Sequence, residues 1–247
     1  MKATERHHLK ENDFETWLVG ATDWFTANRN LVLYGGAAIV LVALAVVGTV
    51  AYRNLQAGKA TGMLAEAMSV AEAAVVAPTT ADAAKPPVQP AGTYPSDRAR
   101  LEAALPKLMA VAEAYPATDA GIIGRYRAAA ALVALGKTAE GIQRYQEVVA
   151  QGKGVYQVMA RLGIADAQLR AGQFDQAIAS IKDVAASNAE EAPTDGVLMQ
   201  MARTYRLAGK EDDAKKTFKR VVDEYPQSPY TPIARRELDA GASVASR

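Results

Sequence analysis

"AGKEDDAKKTFKRVVDEYP", residues 208–226, carries the reading of the fold. Gly209 stops one helix, and the acidic run Glu211, Asp212 and Asp213 opens the next at its positive end. Ala214 and Phe218 stand one turn apart on a shared face, and Pro226 closes the element. A similar phrase, "LEAALPKLMAVAEAYP", occupies residues 101–116. Aligned on its small residue, the pattern recurs at Ala104, Gly141, Ala177 and Ala214, at intervals of 37, 36 and 37 residues. Four positions on come Leu108, Tyr145, Ile181 and Phe218; three further come Val111, Val148, Val184 and Val221. Gly136, Gly172 and Gly209 precede the last three small residues by five. A fixed period with matching roles predicts a stacked array. The glycines predict left-handed stops between antiparallel helices. The small residue lets two backbones close up, and the bulky one fills the gap beside it. A lone hairpin cannot bury both apolar faces, so neighbours must stack.

These residues resemble the tetratricopeptide repeat. The third copy fits best, with Ala202, Tyr205, Gly209, Ala214, Phe218 and Pro226. The second keeps Gly172 and Ala177 but has Gln168 where Tyr205 stands; the first has Gly141 and lacks the closing proline. The resemblance covers about residues 96–240 and implies an all-α solenoid of hairpins, with repeats at about 122–155, 158–191 and 195–228. Upstream, "ATGMLAEAMSVAEAAV" puts Leu64, Met68, Ala71 and Val75 on one stripe, the first helix of a degenerate copy over 53–77. Its partner is the 101–115 helix, in which Pro106 predicts either a kink or a late start. Between them, residues 78–95 carry five prolines from Pro78 to Pro95, which predicts a mobile, extended loop. "SPYTPIARRELDAG" predicts a closing helix with Pro232 in its first turn, before a tail at 241–247.

Ahead of the array, Leu31 to Tyr52 runs 22 residues without a charge. A bilayer core about 30 Å thick needs roughly 20 such residues in a helix. The run shows no polar face and exceeds the roughly 7–15 residues of a signal-peptide core, so it predicts an uncleaved single transmembrane helix. Lys2, Arg6, Lys10 and Arg29 precede it, against Arg53 and Lys59 just after, which places the N-terminus in the cytoplasm. Within residues 1–30, Phe14, Trp17, Leu18, Trp24 and Phe25, with Ala21 between, trace one helical face that Asn12 or Asp13 could cap. An amphipathic helix lying at the lipid headgroups is expected, with docking to another membrane subunit as the other reading.

Composition removes several function classes. The 28 basic and 27 acidic residues leave a net charge of +1, which gives no global reason to expect nucleic acid. The absence of cysteine removes disulfides and thiolate metal sites. His7 and His8 are adjacent, point apart on a helix and have no third ligand near, so no metal site is expected. No phosphate-cradling glycine loop occurs, and no serine or threonine beyond Thr4 has a histidine downstream. Residues 215–220, "KKTFKR", are basic only locally: 21 basic face 19 acidic residues over 96–247. Neither an enzyme nor a cofactor is expected.

Arrays of this type bind proteins or peptides on the concave face lined by the first helix of each pair. Matching positions give Tyr126, Ala130, Leu162, Asp166, Arg170, Met199, Arg203 and Arg206 as contacts; the bland alternative is packing between repeats. The arginines could hold a carboxylate or phosphate-like group bidentately. Charged arm, single anchor and degenerate array together resemble the single-span ancillary subunit of the SecYEG translocon, a bacterial inner-membrane family. That resemblance implies a periplasmic array that meets secreted chains, periplasmic chaperones and the translocon. The aromatic N-terminal helix and the proline-rich loop depart from it. The stretch "EYPQSPYTPIARREL" also resembles repeat ends of the Tol–Pal coordinator and of outer-membrane assembly lipoproteins. A structural role in such a membrane complex is the alternative, although those lipoproteins need a lipobox cysteine and this sequence has none.

Overall fold

The computed structural model describes residues 17–78, 88–152, 154–186 and 194–245. His7, His8, Asn12, Asp13, Phe14, Pro86 and Pro87 lie outside them. The described residues form helices, and the chain divides into two compact units after Leu55.

In the first unit, α1 covers residues 17–27. It exposes Trp17, Leu18, Trp24 and Phe25, with the last two rings edge to face at 5.5 Å. α2 follows as Arg29–Ala71, and its apolar window is buried nowhere. Leu31, Tyr34, Ile39, Leu41, Leu44, Val47 and Tyr52 are all exposed around its circumference. That helix is long and apolar enough to cross a bilayer.

The second unit begins with the last turns of α2. Ala60, Leu64, Ala67, Met68 and Ala71 recur at helical spacing and pack with Ala104, Leu108 and Val111 of α3 (Asp97–Ala114). Val75 does not belong to that stripe. The helix stops at Ala71, and Val75 instead forms a parallel bridge with Tyr94. Val76 N donates to Tyr94 O at 2.9 Å and Tyr94 N donates to Ala74 O at 3.0 Å. The proline-rich connection is therefore pinned at its base, where Gln89 Nε2 also donates to Val76 O. Ser96 caps α3, and the helix runs through Pro106, so the late start does not occur.

Then come α4 (Asp119–Ala134), α5 (Thr138–Gln151), α6 (Val155–Arg170), α7 (Phe174–Ala186), α8 (Thr194–Leu207), α9 (Glu211–Glu224) and α10 (Thr231–Ala245). Each packs on the next, which makes α4–α5, α6–α7 and α8–α9 the three hairpins of an α-solenoid. The periodic residues take the positions their spacing demands. Ala104, Gly141, Ala177 and Ala214 are buried, as are all four bulky residues and all four valines. Opposite them, Ala129, Ala165 and Ala202 are also sealed. Glycine replaces alanine at 141 because a Cβ there would lie 3.0 Å from Ala129 O and 2.5 Å from Val133 Cγ2.

Gly136, Gly172 and Gly209 have φ of +83°, +72° and +71°. Gly136 N donates to Val133 O and Lys137 N to Leu132 O; the same pair of bonds recurs at Gly172 and at Gly209. Three identical left-handed stops thus satisfy the last carbonyls of α4, α6 and α8. Where the first copy lacks a closing proline, Gly154 turns the chain at φ +59°. Gln168, which interrupts the aromatic position, accepts from Ser180 Oγ at 2.8 Å. Pro232 sits in the first turn of α10.

Candidate protein-binding face on the first helices

The first helices of the hairpins, α4, α6 and α8, hold all eight residues picked from the sequence as partner contacts. Tyr126 on α4 stands between Tyr145 of α5, 5.5 Å away between ring centroids, and Tyr156 of α6 at 6.0 Å. These tilted ring pairs add specific geometry to ordinary burial. Burial pushes the Tyr126 phenol above its usual range and the Tyr145 phenol much further. The charges of Tyr126 and Asp166 add to the rise at Tyr145, so Asp166 lies within its electrostatic reach. Ala130 and Leu162 are half-buried and pack against core clusters.

The phenol end of the Tyr145 ring packs against α6 at Gly163. A Cβ on Gly163 would meet its ring at 2.5 Å and 2.8 Å. The glycine is what lets the second helix of one hairpin seat its ring on the first helix of the next. Gly163→Ala gains about 1 kcal/mol of helix propensity. It loses about 2 kcal/mol as the ring is driven into Tyr126. A net fall in the urea midpoint is expected, and it should vanish when Gly163→Ala is made on Tyr145→Leu.

Three of the four charged members are already engaged. Asp166 and Arg170 form an ion pair one turn apart at 2.7 Å, with both side chains largely in solvent. Arg206 Nη1 donates to Glu237 Oε2 of α10, and its guanidinium lies over the Phe218 ring at 5.4 Å. The hydrogen bond from Arg206 holds the Glu237 carboxyl below the usual carboxylate range. Arg203 is exposed.

Met199 is not a contact residue. It is 1 % exposed, in a cluster that runs from Val158 on α6 to Ala234 on α10. α8 is apolar on most of its circumference, and helices packed on several sides leave no open face at that position.

Sequence matching missed Val155 and Met159, which remain 46 % and 37 % exposed on α6. With Leu162 and Asp166 they form offsets 0, 4, 7 and 11, one stripe beside Tyr156 and Tyr126. Val158 and Ala165 fill one buried flank of the same helix, and Ala160 and Ala167 another. The available signal was a helix whose apolar residues extend beyond the faces that pack. A groove of about 470 Å³ lies over Arg161, Ile164 and Gln168, with α5 and α7 on either side, and includes none of the stripe residues.

The tetratricopeptide repeat family model matches residues 197–228, the third hairpin. No curated protein matches the chain. Among solved structures, the chain is similar to the crystal structure of Podosopora anserina putative kinesin light chain nearly identical TPR-like repeats. Identity is 18 %, coverage is 60 % of this chain and 80 % of that one, and the TM-score is 0.50. A point variant of the same repeats gives 20 %, 60 %, 79 % and 0.50. MamA, residues 41 to the end, from Desulfovibrio magneticus RS-1 gives 18 %, 59 %, 82 % and 0.43. The solenoid is thus of tetratricopeptide-like build, a scaffold type associated with protein partners.

Proposed function

We propose that the chain is a membrane-anchored, non-enzymatic scaffold that binds proteins along its first helices. The observation that carries this is the exposed pair Val155 and Met159 on one stripe with half-buried Leu162, flanked by half-buried Tyr126 and Tyr156. Exposed apolar and aromatic side chains rimmed by ion pairs are what a protein-binding patch presents. The anchor is Leu31–Tyr52, and Trp17, Leu18, Trp24 and Phe25 sit at the lipid interface. The charge bias across the anchor favours a cytoplasmic N-terminus and a periplasmic array. In that setting the scaffold serves the secretion translocon of a bacterial inner membrane, meeting emerging secreted chains or periplasmic chaperones. The resemblance in layout to the ancillary SecYEG subunit supports this assignment.

The test is a photo-crosslinker at Met159 or Leu162 in intact membranes, with adducts identified by mass spectrometry. Secreted chains, chaperones or translocon subunits are expected. Adducts only with envelope-assembly proteins would move the scaffold to another complex. Met159→Glu puts a charge into the stripe and is expected to lower adduct yield from Leu162 about tenfold. At an exposed position the thermal midpoint should not move. Protease added to spheroplasts should digest residues 96–247; their survival would place the array on the cytoplasmic side.

A further inference from the structure

Where α8 meets α10, several guanidiniums surround one carboxylate. Arg206 hydrogen-bonds Glu237, and their side chains are 35 % and 24 % exposed. Arg203 stands one turn earlier on α8, and Arg236 is the chain neighbour of Glu237; both attract its carboxylate. Glu211, at the start of α9, adds a weaker attraction on Arg206. Positive charge therefore stays in excess, and among the described residues Arg203 holds no ion pair of its own.

We propose that this cluster recognises an acidic segment of the bound protein, and that Glu237 is its built-in competitor. The proposal rests on reading the first-helix face as the partner surface. The argument is one of charge and desolvation. A half-buried guanidinium is costly without an anion, so the unliganded scaffold needs Glu237 on Arg206. Arg203 is open and its planar fork matches a carboxylate. An incoming carboxylate engages Arg203 first and then contends with Glu237 for Arg206. The tethered competitor acts at an effective concentration on the order of millimolar. A single weakly held acid cannot displace it, whereas adjacent acids on one segment can. The device thereby selects acidic stretches over isolated acids, and the Glu237 side chain can swing away without α10 moving.

The experiment uses the full chain in nanodiscs of zwitterionic lipid and a fluorescein-labelled peptide of alternating leucine and glutamate. The same peptide with glutamine in place of glutamate is the control. Glu237→Gln is expected to tighten the acidic probe about fivefold, and Arg203→Gln to weaken it about fivefold. The glutamine probe should respond to neither. Glu237→Asp keeps the charge, and Arg203→Gln alters an exposed side chain, so the test survives a folding defect in Glu237→Gln. Unchanged affinity for the acidic probe in Arg203→Gln overturns the proposal. So does equal tightening of both probes in Glu237→Gln, which would mean an opened groove and no charge competition. Displacement of the acidic probe by anionic-lipid vesicles, lost in Arg203→Gln, would assign the cluster to headgroups and also overturn it. If the Met159 and Leu162 adducts persist while the probe is indifferent to Glu237, this inference alone falls. If those adducts are missing, the functional reading falls with it.

Discussion

Gly121→Val is expected to cost about 3 kcal/mol or more, among the larger effects a single side chain can have here. Gly121 lies in the first turn of α4, where its N–H donates to the cap hydroxyl of Thr118 at 3.1 Å. A Cβ there would lie 1.9 Å from the backbone oxygen of Tyr115 and 2.8 Å from its carbonyl carbon. That oxygen cannot retreat, because Thr118 N and Thr118 Oγ1 both donate to it, at 3.1 Å and 2.9 Å. Pro116 and the buried Val111 and Ala112 fix the backbone on its other side. The clash must therefore open the α3–α4 turn. The comparison that isolates this cause is Gly136→Ala. Gly136 has open space around its Cβ and costs only the left-handed φ, about 1–2 kcal/mol. Urea unfolding of the full chain in detergent, followed by far-ultraviolet circular dichroism, measures both. Equal losses at the two positions would show that conformation, and not the Tyr115 carbonyl, governs Gly121.

That carbonyl marks where sequence reasoning reached its limit. The stacking register was legible, because each small or bulky residue in the period answers to one neighbour at fixed spacing. Ala177 and Ile181 are buried for the same reason as Ala214 and Phe218. The three left-handed glycines were legible because few other residues tolerate that backbone. Position-matching failed where neighbours differ between copies. Met199 occupies the register of Tyr126 and Leu162 but lies within a cluster that extends to α10, so it is sealed. Val75 continued an apolar stripe on paper, yet the helix ends before it and its neighbours Ala74 and Val76 take their backbone partners from Tyr94. Gly121 gave no period signal at all, since its constraint is a carbonyl six residues earlier.

Arg125→Ala is expected to lower stability by about 3 kcal/mol, from a bared buried carbonyl and the cavity left by the side chain. Composition alone would put an arginine in solvent, yet this side chain is 7 % exposed. The cause is legible upstream, at the end of the preceding helix. In α3, Ala112 O would accept from the residue four positions on, and that residue is Pro116, which has no N–H. The orphaned carbonyl sits among buried residues, and Arg125 Nη2 donates to it at 3.1 Å. The same guanidinium donates through Nη1 to Gln151, and its Nε lies 3.2 Å from Glu147 Oε2, both on α5. The Nε–Glu147 contact is an ion pair and not an aligned hydrogen bond. One side chain thus ties α3, α4 and α5 together. Its removal leaves the Ala112 oxygen bare, at about 1–3 kcal/mol, and opens a cavity. Glu147, nearly a third exposed, rehydrates at little cost. Arg125→Met refills the volume and should recover part of the loss without restoring the carbonyl bond. Hydrogen exchange locates the effect: in an array where each hairpin touches only its neighbours, Arg125→Ala should speed exchange in α3 and α4 and leave α8 and α9 unchanged. Equal acceleration in α9 would mean that the array unfolds as one unit and that the Arg125 tie is global, which nearest-neighbour packing does not allow.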